Sequence, residues 1–236
     1  MKINTVLFDL DGTLLPMDLN VFTRTYLGAL ANYLANYGYE PKKLADSILV
    51  GTAQMLKNDG RATNESVFWN RMTEIYGENI LADNHRFEAF YRDEFDKVRG
   101  VCGYDARAAE SVGKIKEMGL AVVLATNPLF PSIATEKRIA WAGLTPDEFV
   151  YFTSYENSSF SKPNPNYYRE IINKLRLDPE KTLMVGNDVD DDMIAATLGM
   201  KVFLLTDNLI NGSGKDVSDY PSGSFEELIE YVKSFI

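Results

Sequence analysis

One cysteine and one histidine stand among 236 residues, and that scarcity removes several chemistries at once. Cys102 alone can form neither an internal disulfide nor a CxxC metal site; this usage fits a reducing cytosol, with Cys102 as a small core or hinge residue. A zinc enzyme usually takes two or three His or Cys ligands, and a serine or cysteine hydrolase needs an imidazole beside its nucleophile. His85, in Asp83-Asn84-His85-Arg86, has no such neighbour and reads as a solvated or capping residue at a helix start. Neither GxGxxG nor GxxxxGK[ST] occurs, which argues against the usual dinucleotide and P-loop sites. Basic charge is also short: 24 Lys and Arg against 34 Asp and Glu leave a net charge of −10. A surface of that sign repels phosphate backbones and anionic headgroups, so neither nucleic acid nor a membrane is an expected partner. No stretch approaches the roughly 18 apolar residues of a spanning helix, and Met1-Lys2 runs straight into a strand-like segment. The expectation is a soluble, cytoplasmic protein whose chemistry comes mostly from carboxylates.

What is present is an ordinary globular composition, 45% apolar and 25% charged. Five short apolar runs read as buried strands: Thr5 to Leu10, Leu120 to Thr126, Phe149 to Tyr155, Thr182 to Gly186 and Lys201 to Thr206. After residue 120 they alternate with helical patterns such as Pro131 to Trp141 and Pro165 to Leu175, which implies a parallel sheet. Asp105 can cap a helix closed by Gly119, and Ser224 with Glu227 forms a capping box for the last helix. Residues 17–96 differ, with helical periodicity throughout and no strand candidate. Phe22, Tyr26, Leu30, Tyr33 and Tyr37 follow one helical stripe, Pro41 opens a second helix, Asn64 can cap a third and Asn84 a fourth. The expected architecture is an α/β, Rossmann-like parallel sheet formed by 1–16 and 97–236, with an all-helical cap, 17–96, inserted after the first strand.

In an open parallel sheet the ligand site lies beyond the carboxyl ends of the strands. Four runs end in polar or reactive groups: Asp9-Leu10-Asp11-Gly12-Thr13, Thr126-Asn127, the segment holding Lys162, and Gly186-Asn187-Asp188 followed by Asp190, Asp191 and Asp192. In extended chain Asp9 and Asp11 project to one side, and two close anions need compensation, which Mg²⁺ supplies at an all-oxygen site. Asp188 could complete that shell. Each piece also has a bland reading: a turn for Asp9 to Gly12, a cap or turn for Thr126-Asn127, a solvated lysine for Lys162, dipole decoration for the aspartate run. Two prolines hold the backbone around Lys162, in Ser161-Lys162-Pro163-Asn164-Pro165, extended before a helix.

Taken together and in order, these pieces resemble the four motifs of the haloacid dehalogenase superfamily, in its phosphatase-like branch with a helical cap. Asp9-Leu10-Asp11-Gly12-Thr13-Leu14 is similar to the first motif, Leu124-Ala125-Thr126-Asn127 to the second, Lys162-Pro163 to the third, and Gly186-Asn187-Asp188 with Asp192 to the fourth. The resemblance implies a nucleophilic Asp9 that becomes an aspartyl-phosphate and an acid-base Asp11. It implies phosphoryl binding by Thr126, Asn127 and Lys162, and Mg²⁺ held by Asp9, Asp188 and the Asp11 backbone carbonyl. Gly12, Asn187 and Asp192 would support the site. Resembling dehalogenases lack the second aspartate of the first motif, so Asp11 favours phosphoester chemistry on a small phosphorylated metabolite. A sugar phosphomutase, or a binding protein on the same fold, is the alternative.

Overall fold

A computed structural model describes residues 2–236. Strand β1 (Thr5–Phe8) lies between β2 (Ala121–Leu124) and β4 (Thr182–Gly186), and β3 (Tyr151–Phe152), β5 (Lys201–Leu205) and β6 (Ser222–Gly223) complete one sheet in the order β3-β2-β1-β4-β5-β6. Every pairing is parallel. All four residues of β1 are buried, as a strand covered on both faces requires. Successive side chains serve opposite faces: Val6 and Phe8 pack with Val122, Leu124 and Val185 in one core, while Leu7 packs with Val123 and Met184 in the other. The five anticipated strands are all present, Thr182–Gly186 with the bounds expected and the other four shorter. The sixth, Ser222–Gly223, carries no apolar signal and gave none in the sequence.

The register decides where the chemistry gathers. Phe8 stands opposite both Leu124 and Val185, so the residues that follow each strand emerge at one edge. The chain builds outward from β1 to β3, then returns to build β4 to β6 on the other side; the reversal leaves a crevice between the ends of β1 and β4.

Helices α1 (Leu19–Ala35), α2 (Pro41–Leu56), α3 (Asn64–Tyr76), α4 (Asn84–Asp93) and α5 (Ala106–Glu117) lie between β1 and β2 in sequence. The sheet half holds α6 (Ser132–Trp141), α7 (Pro165–Leu175) and α8 (Phe225–Lys233), and α5 belongs with them because it packs with β2 and α8. No helix among the described residues is long and apolar enough to cross a membrane. The two segments joining the halves run together: Met17 bridges Cys102, and the Gly103 N–H donates to the Pro16 carbonyl at 2.7 Å. Residue 96 sits inside a 3-10 turn (Phe95–Val101), where its carboxylate accepts the Trp141 indole N–H at 2.9 Å.

Two cap assignments change. Thr63, not Asn64, caps α3 by accepting the Ser66 N–H at 3.2 Å, and Asp83 occupies the position before α4. Asn64 is instead fully buried and reaches the sheet half: its Nδ2 donates to the Pro128 carbonyl and the Ser161 hydroxyl, each at 3.1 Å. The Asn64 and Glu65 N–H groups, orphans of a helix start, donate to Ser158 and Tyr155 carbonyls at 2.8 and 2.9 Å. Asn64→Ala keeps these backbone bonds but strands the Pro128 carbonyl and the buried Ser161 hydroxyl, and chemical denaturation should show a loss of about 2 kcal/mol. A midpoint equal to wild type would show that Asn64 does not hold the helices to the sheet half. His85 is exposed, with Nδ1 2.7 Å from the Ala82 carbonyl, as a solvated capping residue should be.

Candidate active site

Asp9 is the first residue beyond β1, and its N–H still donates to the Val185 carbonyl at 2.9 Å. Its carboxylate is buried and held from two directions: Oδ1 accepts from Lys162 Nζ at 2.8 Å, Oδ2 from the Thr13 hydroxyl at 3.0 Å. Lys162 is equally buried and also donates to Asp192 Oδ1 at 2.7 Å. Burial disfavours its ammonium, but Asp192 and Asp9 outweigh that cost and hold its pKa well above the usual lysine range. Lys162 is therefore no solvated lysine. Lys162 and Pro163 lie within a turn closed by the Asn164 N–H on the Ser161 carbonyl at 3.0 Å, just before α7.

Asp192 joins two parts of the site, since its second oxygen accepts the Asp188 N–H at 3.0 Å. Burial raises the Asp192 pKa, with Lys162 opposing. Asp188 Oδ1 in turn accepts the N–H groups of Asp190 and Asp191 at 2.8 and 3.0 Å, which fixes the turn after β4. Gly12 has φ +91°, and a Cβ there would run into the Asn187 amide; the first loop and the β4 end can approach only because the side chain is absent. The Thr13 hydroxyl oxygen also lies 2.9 Å from Asn187 Oδ1, so its single proton is shared between Asn187 and Asp9.

β1 ends at Phe8 and the loop folds back, with Leu15 N–H on the Leu10 carbonyl at 2.8 Å, yet Asp9 and Asp11 still line one cavity. The Asp11 carboxylate pairs with Arg138, a guanidinium with no exposed area on α6, and Asp11 Oδ1 is buried without a partner. Burial raises the Asp11 pKa most, Arg138 opposes, and Asp9 adds to the rise. Thr126 Oγ1 is likewise buried and unpartnered, while its carbonyl is fixed by Thr153 and Tyr167 hydroxyls at 2.6 and 2.8 Å. Asn127 is engaged locally: its Oδ1 accepts the Lys162 N–H and its Nδ2 donates to Asp191, both at 3.3 Å.

A cavity of about 220 Å³ brings Asp9, Asp11, Thr126, Asn127, Lys162, Asn187, Asp188 and Asp192 together, with Asp191 added. Five aspartates face it against one lysine. Asp191 shows the consequence: burial first, then Asp188 and Asp9, push its pKa up to about 6 against the pull of Lys162. Among the described residues no three acidic, thiol or imidazole side chains converge to hold a metal unaided. Asp9 and Asp188 with the Asp11 carbonyl form a hard all-oxygen set of a different kind, suited to Mg²⁺ that retains waters and binds a substrate oxygen. The excess of carboxylates around the cavity fits a divalent cation.

Arg138 and Asp191 have no place in the motif reading. Arg138 left one trace, a charge on the buried stripe of the predicted helix beside Ala134, Thr135, Ile139 and Trp141.

The family model of the haloacid dehalogenase-like hydrolases matches residues 3–199. This chain belongs to that family. Among curated relatives, a phosphoglycolate phosphatase of Vibrio vulnificus is 25% identical over 98% of this chain and 96% of its own. Pyrophosphatase PpaX of Bacillus cereus is 26% identical over 85% of this chain and 82% of its own. The solved HAD-hydrolase YfnB of Bacillus subtilis, bound to magnesium, shares the fold at TM-score 0.56 and 17% identity, covering 98% of this chain and 99% of its own.

Proposed function

We propose that this hydrolase is a Mg²⁺-dependent phosphatase acting on a small phosphomonoester through an aspartyl-phosphate at Asp9, with residues 17–96 as its cap. The observation that carries the reading is a buried Asp9 carboxylate set by Lys162 and Thr13 in the cavity that also holds the unpartnered Thr126 hydroxyl. A carboxylate is a weak nucleophile, and fixed alignment beside a cation makes it useful. The Thr126 hydroxyl and the Lys162 ammonium are the donors available to phosphoryl oxygens. An Asp9 oxygen attacks phosphorus, the ester P–O bond breaks, and protonated Asp11 gives its proton to the departing alkoxide. Water then attacks the aspartyl-phosphate, returns a proton to Asp11 and releases inorganic phosphate. The raised pKa of Asp11 favours the protonated form from which the first step starts. Mg²⁺, held by Asp9, Asp188 and the Asp11 carbonyl, would offset the repulsion between the nucleophile and the phosphoryl oxygens.

The named activities of the relatives, on phosphoglycolate and pyrophosphate, agree with a small phosphorylated substrate, and the cysteine usage with a cytoplasmic setting. A panel of phosphomonoesters assayed with Mg²⁺ and again with EDTA tests the reading: turnover in the first arm only is expected. Asp188→Asn should move the Mg²⁺ activation curve at least about tenfold to higher concentration, since even indirect supports of a metal site cost that much. An unchanged curve would remove Asp188 from the ligand set.

A further inference from the structure

A second, apolar chamber of about 140 Å³ lies between helices α1 to α4 and the loop after Asn127. Its walls include Leu30, Ile48, Phe68 and Phe87, and among the described residues no lysine, arginine or histidine lines it. Glu88 is its one acidic side chain. Its rim opens to solvent at the exposed Leu49 and Glu88, while Leu30, Ile48 and Phe87 within it are buried. The chamber also adjoins the catalytic cavity directly, since Thr23, Leu129 and Phe130 line both. Phe130 is fixed at that junction by the Tyr26 ring, 5.1 Å between centroids, and by the Arg138 guanidinium, 4.4 Å from its centroid. Arg138 is the partner of Asp11, so the wall of the chamber and the proposed leaving-group acid share one support.

Among the polar groups lining the chamber, the Tyr26 and Tyr91 hydroxyls bond each other at 2.6 Å and the Thr52 hydroxyl donates to the Ile48 carbonyl at 2.9 Å. The indole N–H of Trp69, a residue 9% exposed that stands beside the Tyr155 hydroxyl, makes no hydrogen bond of good geometry. We infer that this chamber receives the alcohol half of the substrate, and that the preferred ester carries a compact apolar group, one ring or a short branched chain, with room for one hydrogen-bond acceptor facing Trp69. A cavity of roughly 150 Å³ with apolar walls accommodates a benzene-sized group. A carboxylate or second phosphate on the alcohol would instead bring an unpaired charge into apolar surroundings beside Glu88.

This inference rests on the phosphatase reading, and the experiment separates the two. With Mg²⁺ present, kcat/KM is measured for benzyl phosphate, 4-carboxybenzyl phosphate and glycerol 3-phosphate, all alkyl esters without an activated leaving group. The expected result is benzyl phosphate ahead of both others by roughly tenfold to a hundredfold, the range that burial of one apolar group supports. Thr52→Phe, on the α2 wall of the chamber, should cut the benzyl-to-glycerol ratio at least tenfold while circular dichroism shows a folded protein. Turnover with ratios near one, or a preference for the carboxylated or polyol ester, overturns the inference alone. No turnover of any ester overturns the phosphatase reading, and this inference with it.

Discussion

Asp9→Asn leaves a folded protein whose turnover falls by roughly four orders of magnitude or more, in line with loss of a sole nucleophile. The amide keeps the shape of the carboxylate. Its oxygen can still accept from Lys162, and the Thr13 hydroxyl can rotate to accept from the new NH₂. What is lost is the oxygen that would bond phosphorus. The measurements are kcat on the best ester of the panel, a thermal melt, and acid-quenched labelling with a radioactive phosphate ester. Wild type should retain label on the protein and the variant none. A variant with near-normal kcat, or one that still takes up label, would sink the assignment of Asp9.

Lys162→Met has the second large effect, and it acts on stability as well as activity. The ammonium lies between Asp9 at 2.8 Å and Asp192 at 2.7 Å with almost no exposed area, so its removal leaves two buried acids without their cation. Breaking a buried ion pair from one side costs about 3–5 kcal/mol, much of it the penalty of the stranded charge. Loss of a fixed donor to the phosphoryl group costs a further factor of about 10²–10³ in kcat. Urea denaturation and steady-state assays measure both, and Asp192→Asn placed on top separates them. The double variant should regain much of the stability, because one stranded charge is gone, and none of the activity. Stability unchanged in Lys162→Met would mean that the ion pairs contribute nothing, and recovered activity in the double variant would mean that Lys162 serves the fold alone.

The sheet and its helical insertion were legible because their signals are local. β1, β2 and β4 are buried on both faces and so write short continuous apolar runs, while the helical half repeats its apolar residues every three or four positions. Strand ends were legible for a related reason: in a parallel sheet each run stops where its backbone leaves the core, and Asp9, Thr126 and Asp188 stand at those stops. Asn64 was misread because a capping residue and a residue that crosses to another layer share the same chemistry, and only packing separates them. Lys162 could be named but not its burial, since prolines restrict a backbone without saying which way the side chain turns.

What composition and order determined, then, was the class of fold, the direction of the strands and the inventory of oxygen-bearing groups at their ends. What the tertiary structure decided was the pairing of those groups. Lys162 meets Asp9 across 153 positions, Thr13 meets Asn187 across 174, and Arg138 meets Asp11 across 127. No local period encodes such partners. They are set when the sheet register brings distant loops to one edge, and the cost of leaving any of these charges alone in a buried crevice then selects the arrangement in which each finds its counterpart.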